Sequence, residues 1–324
     1  MNVALLGAGN ISNSMAAAVK GLERRGEDIF GYGVAARDLS RAQDFAEKYG
    51  FQKAYGSYEE MLQDPEVDLV YVATPHSMHY EHVKLCLEHG KPVLCEKAFT
   101  MTAWQAEEIL QLAESKGLLL TEAIRTRYMP SRQIILDLID SGIIGKVTSL
   151  SANLGYALTH VPRMTRPELA GGALLDLGVY PINFACMAFG DEIADVTAAC
   201  IKWETGVDAQ DSITLTFPDG RMAVLYCSML VQSDRLGVIN GDKGYIEVQN
   251  INNPEELRIF DLQRRCIRTV AVPEQINGYE YEVLSCRDAL KEGRIECPEM
   301  PHKTTLQIMR LMDGLRKKWG IPEE

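Results

Sequence analysis

The first dozen residues restrict the fold more than any other stretch. Asn2-Val3-Ala4-Leu5-Leu6 is a short apolar run. Gly7-Ala8-Gly9-Asn10-Ile11-Ser12 follows, and Met15-Ala16-Ala17-Ala18-Val19 continues with helical character. A buried strand, a glycine turn and a helix in that order open a dinucleotide-binding βαβ fold. Gly7 permits the tight turn. Gly9 lets the backbone approach a pyrophosphate, whose charge sits on free N–H groups at the helix N-terminus. Ser12 stands where the fingerprint has its third glycine, and is small enough for close helix–strand packing.

The alternation of strand and helix continues. The next strand, Phe30 to Ala36, ends without the acidic residue that selects a ribose 2′-hydroxyl, and Arg37 follows directly. That pattern favours a 2′-phosphate, with Arg37 as clamp and Ser40 or Arg41 as helpers. The other reading is a solvated Arg37 with Asp38 on the ribose. Asp38 has the character of a helix N-cap. Asp68 to Pro75 is a buried strand ending at Thr74-Pro75, followed by a helix bearing His76, His79 and His82. Their spacing raises a metal site, but neither cysteine partners nor a matched third ligand is evident, so no metal is expected. His79 lies one turn from the strand end, on the nicotinamide side. Lys91 to Ala98 delivers Glu96 and Lys97 at a strand's carboxyl end, the edge where open α/β sheets bind ligands. An amphipathic helix from Trp104 to Lys116 and a strand from Leu118 to Ala123 complete the unit.

Length and charge narrow the function classes. The chain has 324 residues, enough for two domains. Its net charge is −12 with no basic run, which speaks against a nucleic-acid partner. No apolar run reaches the roughly 18 residues of a membrane span, and no signal peptide is evident, so no membrane partner is expected. Eight scattered cysteines, mostly in apolar contexts, read as reduced thiols of a cytoplasmic protein.

The division falls into residues 1–122, a Rossmann dinucleotide-binding domain, and residues 123–324, an α/β domain for substrate and dimerisation. A helix is expected over Met129 to Gly142 and a strand over Lys146 to Leu158. Further strands are read at 196–203, 212–217, 222–229, 257–260 and 267–272. Helices over 279–291 and 303–319 close the chain. The fold class is α/β: a doubly wound parallel sheet, then a large, mostly antiparallel open sheet. An exposed sheet face invites a homodimer. Within Gly171-Gly172-Ala173-Leu174-Leu175-Asp176-Leu177-Gly178-Val179-Tyr180, a helix starts after the glycines. Asp176 and Tyr180 are four apart on it, with Cβ atoms roughly 5–6 Å apart on one face. A carboxylate and a phenol on so apolar a helix need partners. One reading is a hydrogen bond that fixes packing; the other is catalysis.

Gly7-Ala8-Gly9-Asn10-Ile11, Thr74-Pro75, Glu96-Lys97, and Gly171-Gly172 through Asp176 and Tyr180 together resemble the Gfo/Idh/MocA oxidoreductases. Ala35-Ala36-Arg37-Asp38, Glu122-Ala123-Ile124, Leu175 to Pro181 and Met300-Pro301-His302 resemble its dimeric dihydrodiol dehydrogenase and NADP-dependent xylose dehydrogenase branch. The resemblance implies an NAD(P)-dependent dehydrogenase acting on a CH–OH group of a sugar, polyol or cyclic diol. NADP is the preferred cofactor and NAD the other candidate. It implies cofactor contacts at Gly7, Gly9, Asn10, Ile11, Arg37, Arg41, Thr74, Pro75, His79, Glu96 and Lys97. Lys97 matches the lysine of the family's Glu-Lys-Pro motif, Asp176 its aspartate, and Tyr180 the His or Tyr four residues on. Ala98 stands where the motif has proline. Arg125 stands where the dihydrodiol branch has tryptophan, which suits a sugar, sugar acid or phosphorylated substrate better than an aromatic diol. Arg125 and Tyr156 are the candidate substrate contacts.

In the chemistry these residues support, Tyr180 is the general acid/base, with a pKa near ~10 when unperturbed. A nearby ammonium favours its ionised form, and Lys97 can supply one. Asp176 would orient Lys97 or a substrate hydroxyl. The other assignment makes Lys97 the base and Tyr180 a hydrogen-bond donor. Two further classes are a catalytically silent NAD(P)-binding sensor and an enzyme of transient oxidation, such as an NAD-dependent glycosidase.

Overall fold

The computed structural model describes residues 1–321. Its first compact unit comprises Met1–Tyr128 together with Gln275–Met309. Six parallel strands form its sheet: β1 (Asn2–Leu6), β2 (Phe30–Ala35), β3 (Lys53–Tyr55), β4 (Leu69–Val72), β5 (Val93–Glu96) and β6 (Leu120–Ala123). The order is β3-β2-β1-β4-β5-β6. It reverses between β1 and β4, so the crevice beyond their carboxyl ends is where such a sheet takes a ligand. Val3 to Leu6 and Leu69 to Val72 are fully buried, as continuous apolar strands of a doubly covered sheet should be. The helices α1 (Asn10–Arg24), α2 (Leu39–Tyr49), α3 (Tyr58–Leu62), α4 (His79–Glu88) and α5 (Ala103–Lys116) connect them. Asp38 caps α2 by accepting the Ser40 N–H at 2.9 Å. Residues 275–309, read from sequence with the second domain, belong to this first unit. Asn277 donates to the Ser14 carbonyl at 2.8 Å, and His302 bonds the Leu120 carbonyl at 2.7 Å.

The second unit comprises Met129–Glu274 and the chain from Arg310. Its eight strands are β7 (Val147–Gly155), β8 (Asp195–Lys202), β9 (Asp208–Thr216), β10 (Met222–Ser228), β11 (Gly237–Gly241), β12 (Gly244–Val248), β13 (Glu256–Asp261) and β14 (Cys266–Ala271). They run in the order β14-β13-β12-β11-β7-β10-β9-β8. The β7–β10 pair is parallel and the other pairs are antiparallel. One face is apolar and buried, with Leu150, Ile213, Leu225, Ile239 and Ile246 on it. The opposite face carries the exposed side chains of Ile201, Met222 and Val224. The hairpin of β11 and β12 and the short β3 were not anticipated from sequence.

One expectation needs correcting. The stretch Pro167–Phe189 is, by length and composition alone, apolar enough to cross a membrane. It is not one continuous α-helix. A 3₁₀ turn covers Pro167–Leu169, a π-helical turn Leu174–Gly178 and an α-helix Val179–Phe189. Its apolar character reflects core packing, since 89% of that window is buried inside the protein. All eight cysteines are free thiols, and six of them are buried.

Candidate active site

The glycine turn has the shape a pyrophosphate requires. Gly7 has φ +111°, and a Cβ there would lie 3.2 Å from the Ala73 carbonyl oxygen. Around Gly9 the same test meets nothing closer than 3.9 Å. Gly9 caps α1 without a side-chain hydrogen bond, and the first turn, including Asn10 and Ile11, carries no acid. The N–H groups there keep their pull on an anion, so the residues fit a dinucleotide. Ser12 is fully buried and donates to the Gly7 carbonyl at 2.7 Å, which locks the turn to the helix.

Two arginines border this turn. Arg41 reaches the Ala8 carbonyl at 3.4 Å, and Arg37 is exposed at the end of β2. Ser40 is engaged by Asp38, donating to it at 2.9 Å. Two residues that sequence reasoning gave no role here complete the cluster. The rings of Tyr58 and His82 meet edge to face at 4.9 Å, and Arg37 acts electrostatically on both. Burial, helped by neighbouring positive charge, pushes the His82 imidazole down to about 4. Its Nδ1 pairs with Thr74 Oγ1 at 2.9 Å.

His79, expected on the nicotinamide side, stands at the start of α4. It is fully buried; Nδ1 lies 2.9 Å from the Ala98 carbonyl and Nε2 lies 2.8 Å from the Thr74 carbonyl. The ring ties the loop after β4, with Pro75 exposed on it, to the loop that follows Lys97. Glu96 is buried at the end of β5. It accepts the Tyr71 hydroxyl through Oε1 and the Lys97 N–H at 3.1 Å through Oε2. Burial raises its pKa, with Tyr71 and Lys97 opposing the shift. Glu282, which sequence reasoning missed, is fully buried with no hydrogen-bond partner on either carboxyl oxygen. Burial and the Glu96 charge hold it well above the usual carboxylate range. It sits within electrostatic reach of Tyr71 and Glu96. Arg125 donates to the Asn277 carbonyl at 3.0 Å, and its guanidinium lies 4.7 Å from the centre of the Tyr279 ring.

In the second unit, Asp176 is buried and Tyr180 half-buried, one on the π turn and one on the helix after it. The N–H groups capping that turn reach back to the Leu174 carbonyl. The expected α-helical separation therefore does not carry over. Pro181 supplies a physical reason: it has no N–H, and its ring crowds the carbonyl four residues back, which a wider turn relieves. Asp176 Oδ1 pairs with Arg163 Nη1 at 2.7 Å. Arg163 was not anticipated. It arrives from the loop before the glycines, and Gly171 lets that loop pack close, since a Cβ would lie 2.8 Å from the Met164 and Arg166 carbonyl oxygens. Tyr156 lies within 3.2 Å of Arg235 Nη1 and Asn252 Nδ2, both donating to its hydroxyl. Among the described residues, no group of three or more His, Cys, Asp or Glu could hold a metal ion.

A parallel sheet with a glycine cradle at the reversal of its strand order, followed by a large open sheet, is the build of an oxidoreductase that works with a nicotinamide dinucleotide. Residues 1–124 match the GFO/IDH/MocA oxidoreductase family with its NAD-binding Rossmann fold, and residues 133–247 match that family's C-terminal domain. The chain belongs to this family. Trans-1,2-dihydrobenzene-1,2-diol dehydrogenase of Mus musculus is 34% identical over 322 residues, covering 98% of this chain and 96% of that protein. The crystal structure of KijD10, a 3-ketoreductase from Actinomadura kijaniata in complex with NADP and TDP-benzene, aligns with a TM-score of 0.87. It is 25% identical, covering 98% of this chain and 97% of that one. Levoglucosan dehydrogenase in complex with NADH shares the fold, with a TM-score of 0.88 at 19% identity and 99% of each chain covered. The chain is an NAD(P)-dependent oxidoreductase of CH–OH groups.

Proposed function

We propose that the protein transfers hydride between NADP(H) and the secondary alcohol carbon of a sugar, polyol or cyclic diol. The carrying observation is the pairing of a buried Asp176 with Arg163 immediately before the half-buried Tyr180. A carboxylate held charged in an apolar helix costs several kcal/mol in desolvation, by order of magnitude, and is more than packing demands. The cofactor, when bound, supplies the carbon that gives or takes hydride. Gly7, Gly9 and the N–H groups around Asn10 and Ile11 seat its pyrophosphate. Arg37 and Arg41 hold its 2′-phosphate, because the end of β2 lacks the acid that would repel it. Thr74, Pro75 and Glu96 shape the same crevice. Tyr180 exchanges a proton with the substrate hydroxyl, Lys97 supplies the positive charge that eases its ionisation, and Asp176 orients a substrate hydroxyl. Arg125 and Tyr156 are the proposed further substrate contacts. The chain resembles proteins named as diol dehydrogenases, yet a guanidinium at position 125 suits a more polar substrate than an aromatic diol.

The exposed side chains of Ile201, Met222 and Val224 on the second sheet support a homodimer through that face. Buried cysteines without disulfides fit a reducing cytoplasm. Two measurements test the catalytic reading. Fluorescence titration should give much tighter binding of NADPH than of NADH, weakened by Arg37→Ala; preference for NADH refutes the role of Arg37. Tyr180→Phe should lower kcat at least ~100-fold while NADPH still binds; a near-normal kcat removes Tyr180 from the chemistry.

A further inference from the structure

The π turn that carries Asp176 is seated at both ends on side chains of the second sheet. Asp208, at the start of β9, accepts the Leu174 N–H at 2.5 Å through Oδ2. A Cβ on Gly172 would lie 2.3 Å from Asp208 Oδ1, and a Cβ on Gly178 would lie 3.0 Å from Cys227 Sγ. The Cys227 thiol donates to Asp211 Oδ2 at 3.1 Å, and Asp211 lies within electrostatic reach of Asp208. Asp208, Asp211 and Cys227 are each 1% exposed.

Two buried carboxyls within electrostatic reach of each other resist ionising together. Asp208 has the Leu174 N–H and the Arg316 charge in its favour and is the anion. Asp211 Oδ1 has no hydrogen-bond partner and the residue is buried, a site that favours the neutral acid.

We propose that Asp208 is a positioning residue for the reaction: its carboxylate holds the Leu174 N–H, a neutral Asp211 leaves that carboxylate unopposed, and the bond fixes the turn presenting Asp176. The inference rests on the reading of Asp176 and Tyr180 given above. Loss of the proton places a second negative charge beside the first and weakens the anchor. The titratable and charged groups facing the pair are Cys227 on β10, Cys200 and Lys202 on β8, and Arg316 on the helix His302–Lys318. Burial and the Asp208 charge push Asp211 up to about 9, while the same surroundings push Cys200 up to about 11 and Cys227 well above its ordinary value. Asp211 is thus the first of the three to lose its proton on the alkaline side.

The test compares wild type, Asp208→Asn, Asp211→Asn and Asp176→Asn as full-length proteins. The assay is NADP-dependent oxidation of trans-1,2-dihydrobenzene-1,2-diol from pH 6 to 10, with amide hydrogen exchange across residues 172–180. Asp208→Asn should lower kcat about 10-fold or more, by misplacing a reacting group, with the Kd for NADPH unchanged and faster exchange at Leu174. Asp211→Asn has no proton to lose, so the alkaline fall of kcat near pH 9 should vanish. Normal kcat in Asp208→Asn, or an unaltered alkaline fall in Asp211→Asn, overturns the proposal. If Asp176→Asn itself turns over normally, the functional reading fails separately; if the diol is not turned over, that one substrate is excluded. Exchange at Leu174 then decides the anchor: wild-type rates in Asp208→Asn refute it, and faster rates sustain it.

Discussion

The two halves of the candidate catalytic machinery are held in contrasting ways. Lys97 follows a four-residue strand whose place is set by sheet register, with Cys95 paired to Val72 on one side and Glu122 on the other. Its neighbour Glu96 draws on the Tyr71 hydroxyl and a backbone N–H, groups that regular structure already supplies. Asp176 stands on an irregular turn with no ladder to place it. It is held instead by Arg163 from one side, while the buried Asp208 carboxylate takes the Leu174 N–H of the turn from the other. A strand end inherits its precision from the sheet; a distorted helix needs dedicated polar partners, and these bring buried charge.

The sharpest way to break this comparison is to add one methyl group in each half. Gly172→Ala imposes φ +126° on a residue with a Cβ and drives that carbon into a buried carboxyl. A loss of about 3 kcal/mol or more in urea denaturation is expected. Gly7→Ala, at φ +111° but with its nearest contact at 3.2 Å, should cost only about 1–2 kcal/mol while abolishing NADPH binding. Equal losses would mean that the second half is no more tightly seated than the first.

The next effect is in pH. Asp211 releases its proton near 9 when folded but near ~3.9 when unfolded, so the native state holds more protons in between. Its contribution to stability is full below about pH 4 and is lost as pH rises towards 9. Asp211→Asn should therefore match wild type at pH 4 and gain on it steadily to pH 9. Glu282, raised by burial in the first unit, gives the same sign. Glu282→Gln should likewise gain on wild type as pH rises above the ordinary range of glutamate. Urea midpoints that run parallel to wild type across the range would show that neither acid stays protonated. The smallest effect is a control in regular structure. Thr102 caps α5 by accepting the Gln105 N–H at 3.2 Å, and Thr102→Ala should cost about 1 kcal/mol whatever the pH.

The same contrast governs what was legible in the sequence. The run from Asn2 to Ser12 declares a strand, a turn and a helix because local chemistry dictates each: apolar residues, positive φ at glycine, helix formers. The strands β11 and β12 are short, begin with glycine and gain their stability from neighbours far away in the chain, so no local pattern marks them. The helices over 280–291 and 302–318 show a face to bury without naming the sheet that buries it, so the sequence does not tell which compact unit residues 275–309 join. The site followed suit. Glu96 and Lys97 are visible as a strand end. Arg163, Asp208 and Asp211 are not, because their meaning comes from tertiary partners 13 and 34 residues away from them. The burial of His79 between the Thr74 and Ala98 carbonyls is equally invisible in the sequence.

The π turn has an evolutionary reading as well. It amounts to a single extra residue spliced into a helix. Deleting Leu177 would restore ordinary α-helical bonding and leave Asp176 three rather than four residues before the tyrosine, a step of roughly 100° about the axis. Asp176 would then face a different azimuth with its composition intact. The count of residues between the paired glycines and Tyr180 therefore constrains the site as much as the identity of the apolar residues between them.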